Sequence, residues 1–588
     1  MRHCAASGVD TATSPDGSGE AEHAANRSRS AFLCVLRVLC GNRSRSALLC
    51  VLRVEWPFRD FSRCASIAAL AISGSALHAG EGPPPTSWQF TDVTVSAGAQ
   101  AVYSFEFGYK STRDMMPAGV AAGDIDNDGF VDLIVPQGDF LPLKLLRNRA
   151  DGSFESVAAQ HGLGAIGGIV AGALLVDIDG NGWLDLILLG HRGFGTRLWL
   201  NDAAQFSEAT LPWGLSASTI DAYSAAAADI DGDGRLDLAL AHWDNRDTAP
   251  PTGGHLWHNQ GSHLIDISTE AGLSVLRQPD YTFTPMLVDM DGDHRPDLMM
   301  ASDFLTTRAF RNAGNLQFDA WDAGQFDDEN GMGADVGDFD NDGDLDWFVS
   351  SIYDPAGVPI AGQGITGNRL YRNDGAGVFT DVSADAGVRE GYWGWGSCFA
   401  DFDLDGWLDL YHVNGMPFGN HPVFGADPAR LYWNRGDGSF DEQSELRGVA
   451  DTGQGRGIVC FDYDRDGDLD IYLTNNEGQA RLYRNDSPPD RFGLGVALRM
   501  EGPNSHAVGA ELRLETAASV QLQHLIAGRG FQAGAPIEAH FGLGSIEQAD
   551  ALAIRWPDGR TTRIAHPRAQ PLLVLDDPDL VFAQGFDP

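Results

Sequence analysis

The chain carries 40 lysines and arginines against 82 acidic residues, a formal net charge of -42. So acidic a surface excludes DNA, RNA and anionic lipid headgroups as partners. Cysteine is scarce where a fold would use it. Cys4, Cys34, Cys40, Cys50 and Cys64 all precede any domain-like pattern, leaving only Cys398 and Cys460. A disulfide framework is therefore excluded for the folded part. For the two late cysteines, two small buried thiols is the preferred reading and a disulfide the alternative. Catalytic signatures are missing too. There is no G-x-S-x-G elbow and no H-E-x-x-H, and His242, His258, His412 and His540 have no companion spacing for a zinc site.

What the chain does have is a nine-residue acidic loop, D-x-D-x-[DN]-G-x-x-D, written seven times. Its acidic positions are Asp124, Asp126, Asp128 and Asp132; Asp177, Asp179, Asn181 and Asp185; Asp229, Asp231, Asp233 and Asp237; Asp289, Asp291, Asp293 and Asp297; Asp338, Asp340, Asp342 and Asp346; Asp401, Asp403, Asp405 and Asp409; and Asp462, Asp464, Asp466 and Asp470. Carboxylates at positions one, three, five and nine, a backbone carbonyl at seven and a turn-forming glycine at six suit a hard cation with six to eight oxygen ligands. The expected cofactor is Ca2+, up to seven ions, which would cancel a third of the net charge. Two loops depart from the pattern: Asn181 is a neutral ligand in the second, and His294 replaces glycine in the fourth, with Pro296 before Asp297. These two are expected to lose metal first.

The loop starts lie 53, 52, 60, 49, 63 and 61 residues apart, which suits a four-stranded blade. Each loop is preceded by a short apolar strand and followed by a β-prone run, an aromatic-rich strand ending in Asn (Asn148, Asn201, Asn259, Asn312, Asn373, Asn434, Asn485), and a strand such as Phe379-Thr-Asp-Val-Ser383. That last strand is missing after loop seven, while a spare copy, Phe90-Thr-Asp-Val-Thr94, precedes loop one. The expected fold is all-β: a seven-bladed propeller over 88–488, its last blade completed by the N-terminal strand, which leaves no open sheet edge.

Residues 1–80 read as a leader. Arg27–Val38 recurs almost verbatim at Arg43–Val54, and no methionine occurs between Met1 and Met115, so part of the leader reads as a start assigned too far upstream, with a disordered extension as the alternative. Arg59 and Arg63, the apolar run Cys64–Leu77 and the small exit His78-Ala79-Gly80 describe a signal peptide over about 59–79. The run is too short, and too rich in Ala, Ser and Gly, to span a membrane, so no span is expected in the mature chain. The expected location is secreted, either extracellular or periplasmic. Pro488-Pro489 marks a linker to a small β-rich domain over 490–576, with strands at Phe492–Met500, Ala510–Thr516, Val520–Ala527 and Ala551–Trp556; 577–588 is a tail.

These loops, with their Leu-Tyr-Arg-Asn and Phe-x-Asp-Val-Ser strands, resemble FG-GAP/VCBS repeats, which build the calcium-bearing propeller of integrin α chains. Asn504, Ala507-Val-Gly-Ala510, Gly528-Arg-Gly-Phe531, His540–Gly544 and Trp556–Gly559 resemble an ASPIC/UnbV domain. Together they are similar to the cartilage acidic protein-like family. The resemblance implies an exported, non-enzymatic calcium-binding protein of adhesion or scaffold type, with a protein or carbohydrate partner at a cell surface or matrix. The alternative is an extracellular polysaccharide-acting enzyme, lyase-like, needing a His or Tyr base and an Arg at one mouth of the ring. A structural spacer is a third, weaker reading. Trp393 and Trp395 are read as packing between blades rather than as a sugar platform, and His540 as part of a turn.

Overall fold

The computed structural model describes residues 88–577, apart from 140, 216–220, 245–253, 278–279, 322, 360–363 and 418–421. The signal-peptide segment and 578–588 lie outside the described residues. Seven antiparallel four-stranded sheets follow one another, two of them joined by a fifth short strand. Their inner strands are Val120–Gly123, Ile169–Val176, Ser224–Ala228, Asp280–Val288, Ala334–Gly337, Gly394–Ala400 and Gly455–Phe461. Small and apolar residues fill these strands because both faces are buried between neighbouring blades.

Every second strand begins at the ninth loop position, and the register is the same throughout. The residue before loop position one pairs with position nine, as in Gly123 with Asp132, Val176 with Asp185 and Phe461 with Asp470. The N-terminal strand Gln89–Asp92 pairs with Arg481–Asp486, placing Phe90 opposite Asn485 as the outer strand of the seventh sheet. One short strand pairs across a blade boundary: Trp243–Asp244 of blade three adds to the inner strand of blade four. Elsewhere contacts at the inner strands join the blades, Gly119 N–H donating to Ala171 O between blades one and two (2.7 Å) and Gly457 N–H to Ala118 O across the chain's ends (2.9 Å). The preferred reading of Cys398 and Cys460 as thiols is corrected. They form a disulfide (Cα–Cα 6.5 Å) because they occupy facing positions on the inner strands of blades six and seven.

Two further sheets follow the propeller. One orders Ala539–Gly542, Gly493–Arg499 and Gln570–Asp576; the other orders Val520–His524, Glu511–Glu515, Ala551–Arg555 and Thr561–Ala565. Asp577, which sequence assigned to the tail, is buried and pairs with Arg560 Nη1 (2.8 Å).

The segment between these strands leaves its own domain and enters the axis of the ring. Ala533–Gly534 runs parallel to the inner strand of blade one, pairing with Val120 and Ala121. Ala227 N–H of blade three donates to Ala527 O (3.0 Å), and Gln532 N–H donates to Ser224 Oγ (2.9 Å). Arg529 forks onto both oxygens of Asp335 in blade five, at 2.9 and 3.0 Å. Phe531 is fully buried against Phe283 of blade four and Trp395 of blade six, with ring centroids 5.5 and 5.2 Å away. A segment that touches inner strands of five blades occupies the axial channel. Glycine is required there: a Cβ on Gly528 (φ 89°) would stand 2.2 Å from Ala225 O.

Candidate metal centres

In all seven loops, the position-one carboxylate accepts the amides of positions five and six. Asp124 takes Asp128 N (3.0 Å) and Gly129 N (2.9 Å), and Asp462 takes Asp466 N (3.1 Å) and Gly467 N (3.0 Å). Position nine accepts the amide of position two through one oxygen and the strand-ending Asn amide through the other, as Asp237 does with Ile230 N (3.0 Å) and Asn259 N (2.7 Å). The carboxylates therefore face a common centre. In each of the first four loops, positions one, three and nine offer oxygens within 4.8 Å of one another. Position three has least to hold it: Oδ1 of Asp126, Asp291, Asp340, Asp403 and Asp464 is buried with no hydrogen-bond partner. A cation in these five loops would satisfy a buried carboxylate oxygen that is otherwise left without a partner.

The electrostatics agree. Burial, followed by neighbouring loop carboxylates, pushes Asp338, Asp401 and Asp462 up to about 8. Burial likewise carries Asp132, Asp185 and Asp297 to about 8, against opposing backbone amides. Without a counter-ion these groups cannot all stay charged.

The strand-ending asparagines, given no role by sequence, link the loops around the ring. Each Nδ2 donates to the carbonyl of loop position two in the preceding blade: Asn201 to Ile125 (3.0 Å), Asn259 to Ile178 (2.8 Å), Asn312 to Ile230 (2.8 Å), Asn373 to Met290 (2.8 Å), Asn434 to Phe339 (2.8 Å) and Asn485 to Phe402 (2.7 Å). Asn148 of blade one completes the circuit at Tyr463 O of loop seven (2.7 Å). The visible signal was the recurrence of Asn; its partners lie across a blade boundary.

The C-terminal domain sits over the loop face. Ser505 Oγ donates to Asp177 Oδ2 (2.5 Å), Arg465 beside Asp464 pairs with Glu538 (2.7 Å), and Gly544 N–H donates to Leu404 O (2.7 Å). His540 Nε2 lies 3.0 Å from Gly467 O, and burial lowers its pKa to about 4, which makes it a contact to loop seven. In loop two, Asn181 Nδ2 donates to Asn201 O (2.8 Å). In loop four, His294 keeps the positive φ (69°) that glycine has elsewhere, and Arg295, Arg311 and His294 face Asp293, Asp291 and Asp289. His294 also lines a cavity of about 160 Å³ with Glu511 and His524 of the C-terminal domain. His258 is buried, and folding brings its Nδ1 to 3.0 Å from Asp237 Oδ1.

At the opposite end of the strands, Asp114 accepts His191 Nε2 (2.8 Å), Arg192 Nε (2.8 Å) and the amides of Lys110 (2.5 Å) and Ser111 (2.8 Å). Burial alone would raise its pKa, but these donors hold it well below the usual carboxylate range. Asp221 pairs with Arg113 Nη2 (2.9 Å) and lies 3.5 Å from His191 Nδ1. Tyr223, in the same cluster, is buried. The network ties blades one, two and three together. Trp393 and Trp395 are buried: Trp393 packs on Phe424 of its own blade, and Trp395 on Phe283 of blade four and Phe531 of the axial segment.

The description "FG-GAP-like repeat" matches residues 177–240, 251–349, 360–412 and 423–473, and "ASPIC and UnbV" matches 500–580. Cartilage acidic protein 1 of Mus musculus is 26% identical over 489 residues, 77% of this chain and 72% of that protein. The Homo sapiens protein of the same name is 25% identical over 489 residues, with 77% and 70% covered. Among solved structures, an exotype rhamnogalacturonan lyase is 14% identical, covering 81% of this chain and 91% of that one, with a TM-score of 0.30, too slight to argue from. No helix among the described residues is long and apolar enough to cross a membrane. The chain carries FG-GAP-like repeats followed by a C-terminal ASPIC and UnbV domain.

Proposed function

We propose that this chain is an exported calcium-binding propeller with a non-enzymatic adhesion or scaffold role, binding protein or carbohydrate at a cell surface or matrix. The observation that carries the calcium reading is the set of buried, unpartnered Oδ1 atoms on Asp126, Asp291, Asp340, Asp403 and Asp464, each in a cluster of loop carboxylates. An all-oxygen donor set of this kind suits a hard cation. Asp124, Asp177, Asp229, Asp289, Asp338, Asp401 and Asp462, with their partners at positions three, five and nine, would hold the ions. Loops two and four are the weakest: Asn181 is neutral, and three basic side chains already face loop four.

The binding role is supported by the filled axis: Arg529, Phe531 and Gln532 occupy the space where a ring of blades would otherwise expose a central site. The Cys398–Cys460 disulfide supports an oxidising compartment. The relatives' name places them in cartilage, an extracellular matrix. Metal analysis and calorimetric titration of the purified mature chain test the cation, and a glycan and surface-protein screen with and without calcium tests the role. Finding no bound calcium would overturn the first; partner binding indifferent to calcium would overturn their connection.

One observation favours the polysaccharide-acting alternative: Arg113, His191, Arg192 and Tyr223 gather at the mouth away from the C-terminal domain. Against it, both Asp114 oxygens are engaged and His191 is 2% exposed. Incubation with uronate polysaccharides decides. An ultraviolet-absorbing unsaturated product would establish the enzyme.

A further inference from the structure

In each blade one residue precedes the linking Asn, on the strand that pairs beside the acidic hairpin. It is arginine four times (Arg147, Arg311, Arg372, Arg484), leucine once (Leu200) and tryptophan once (Trp433). Arg147 lies 3.7 Å from Asp126, Arg311 3.5 Å from Asp291, and Trp433 Nε1 donates to Asp403 Oδ2 at 3.1 Å. None of these side chains can give a lone pair to a metal. Blade three alone has a histidine. His258 is 9% exposed, and its Nδ1 is 3.0 Å from Asp237 Oδ1 and 3.8 Å from Asp231 Oδ2. His258, Asp231 and Asp233 each offer a ligand atom, all within 4.8 Å of one another. The remaining charged groups here are Asp229, which accepts Asp233 N and Gly234 N (3.1 and 2.8 Å), and Arg235, which pairs with Asp233 and donates through Nε to Asn259 O (3.0 Å).

An imidazole among carboxylates selects differently from oxygen alone: nitrogen donors suit zinc and its first-row neighbours, whereas carboxylate, carbonyl and water suit calcium. We propose that the blade-three loop is a mixed nitrogen–oxygen site for a divalent metal of the zinc class, with His258 as its nitrogen ligand. It rests on the reading of the acidic loops as cation sites and separates this loop from the other six.

The test is calorimetric titration of Zn2+ into the calcium-saturated mature chain and into its H258R and H258Q variants. H258R installs the residue that four other blades carry there; H258Q keeps a neutral side chain of similar reach. The wild type should take up one zinc that both variants lose or bind at least about tenfold more weakly, since even second-shell changes cost that much. Both variants should keep the calcium-dependent rise in melting temperature, showing that they fold. Zinc uptake equal in all three chains, or absent from the wild type, overturns the assignment of His258. If calcium stabilises the wild type while zinc does not bind, only this proposal fails. If neither ion acts, the cation reading of the loops fails with it.

Discussion

Replacing Asn434 with alanine removes one side chain that serves two blades. Its Nδ2 donates to Phe339 O of loop five (2.8 Å) and Leu408 O of its own loop (2.9 Å), while its Oδ1 accepts Gly436 N (3.0 Å). The residue is buried, so water cannot replace these bonds without opening the seam. A buried polar group left unsatisfied costs about 1–3 kcal/mol, and two carbonyls and an amide lose a partner, of which the carbonyls keep room for some compensation; a loss of about 2–5 kcal/mol follows. Asn148 occupies the same position where the chain's ends meet, donating to Tyr463 O (2.7 Å) and Val131 O (3.2 Å). In a closed ring, the two replacements should cost the same to within about 1 kcal/mol; in an open array, Asn148→Ala would forfeit no link between blades. Urea unfolding in saturating calcium, followed by near-ultraviolet circular dichroism, measures both. If Asn148→Ala is nearly neutral while Asn434→Ala is severe, the closure argument is wrong. If both are neutral, the asparagine links do not hold the blades together.

Three further outcomes follow from the same geometry. In metal-free protein, Asp132, Asp185, Asp338, Asp401 and Asp462 keep their protons up to about 8, whereas unfolded aspartates lose theirs near 3.9; the folded state therefore binds more protons in that window, and melting in chelator should fall as pH rises from about 5 to about 8. Calcium-saturated protein should not show that fall, because the ion replaces the protons; parallel curves would refute the coupling. Phe531→Ala should cost about 3–5 kcal/mol as a buried aromatic, and Arg529→Met a similar amount by stranding Asp335, both read by thermal melting; unchanged melting would mean the axial segment is not part of the core. Reducing Cys398–Cys460, which closes a loop of 62 residues, should cost up to about 4 kcal/mol, and a double alanine variant insensitive to reductant provides the control.

How much could be read in advance depended on whether the responsible residues were local. Loop carboxylates sit within nine residues of one another, so their spacing alone displayed a shared centre. The N-terminal strand was legible because Phe90-Thr-Asp-Val-Thr94 is a copy of a strand that loop seven lacks, and counting needs no geometry. Asn259 was visible as a recurring residue but its role was not, since its partner Ile178 O is 81 residues away. His258 looked isolated for the same reason: Asp237 stands 21 residues earlier and meets it only through the ladder. Gly528–Gly534 has no periodicity at all, because an axial segment satisfies partners on many blades rather than one face. Cys398 and Cys460 stand three and two residues before loops six and seven, but spacing cannot fix the angle between two side chains, so the sequence leaves thiols and disulfide both open.

Where the ions would act follows from what already covers the loops. Ser505 touches Asp177, Arg465 beside Asp464 reaches Glu538, and Gly544 N–H binds Leu404 O, so the C-terminal domain rests on the face from which a partner would have to approach a bridging cation. The same loops are tied backward through asparagine to the preceding blade. A cation there would strengthen ring and domain docking together, and on the proposed reading a partner would sense it through the fold rather than by ligating it. Partner binding, once the partner is found by the calcium-dependent screen, should then track the folded fraction as free calcium is lowered, with both midpoints coinciding. Binding lost while near-ultraviolet dichroism and melting temperature stay at their calcium-saturated values would show instead that a cation contacts the partner directly.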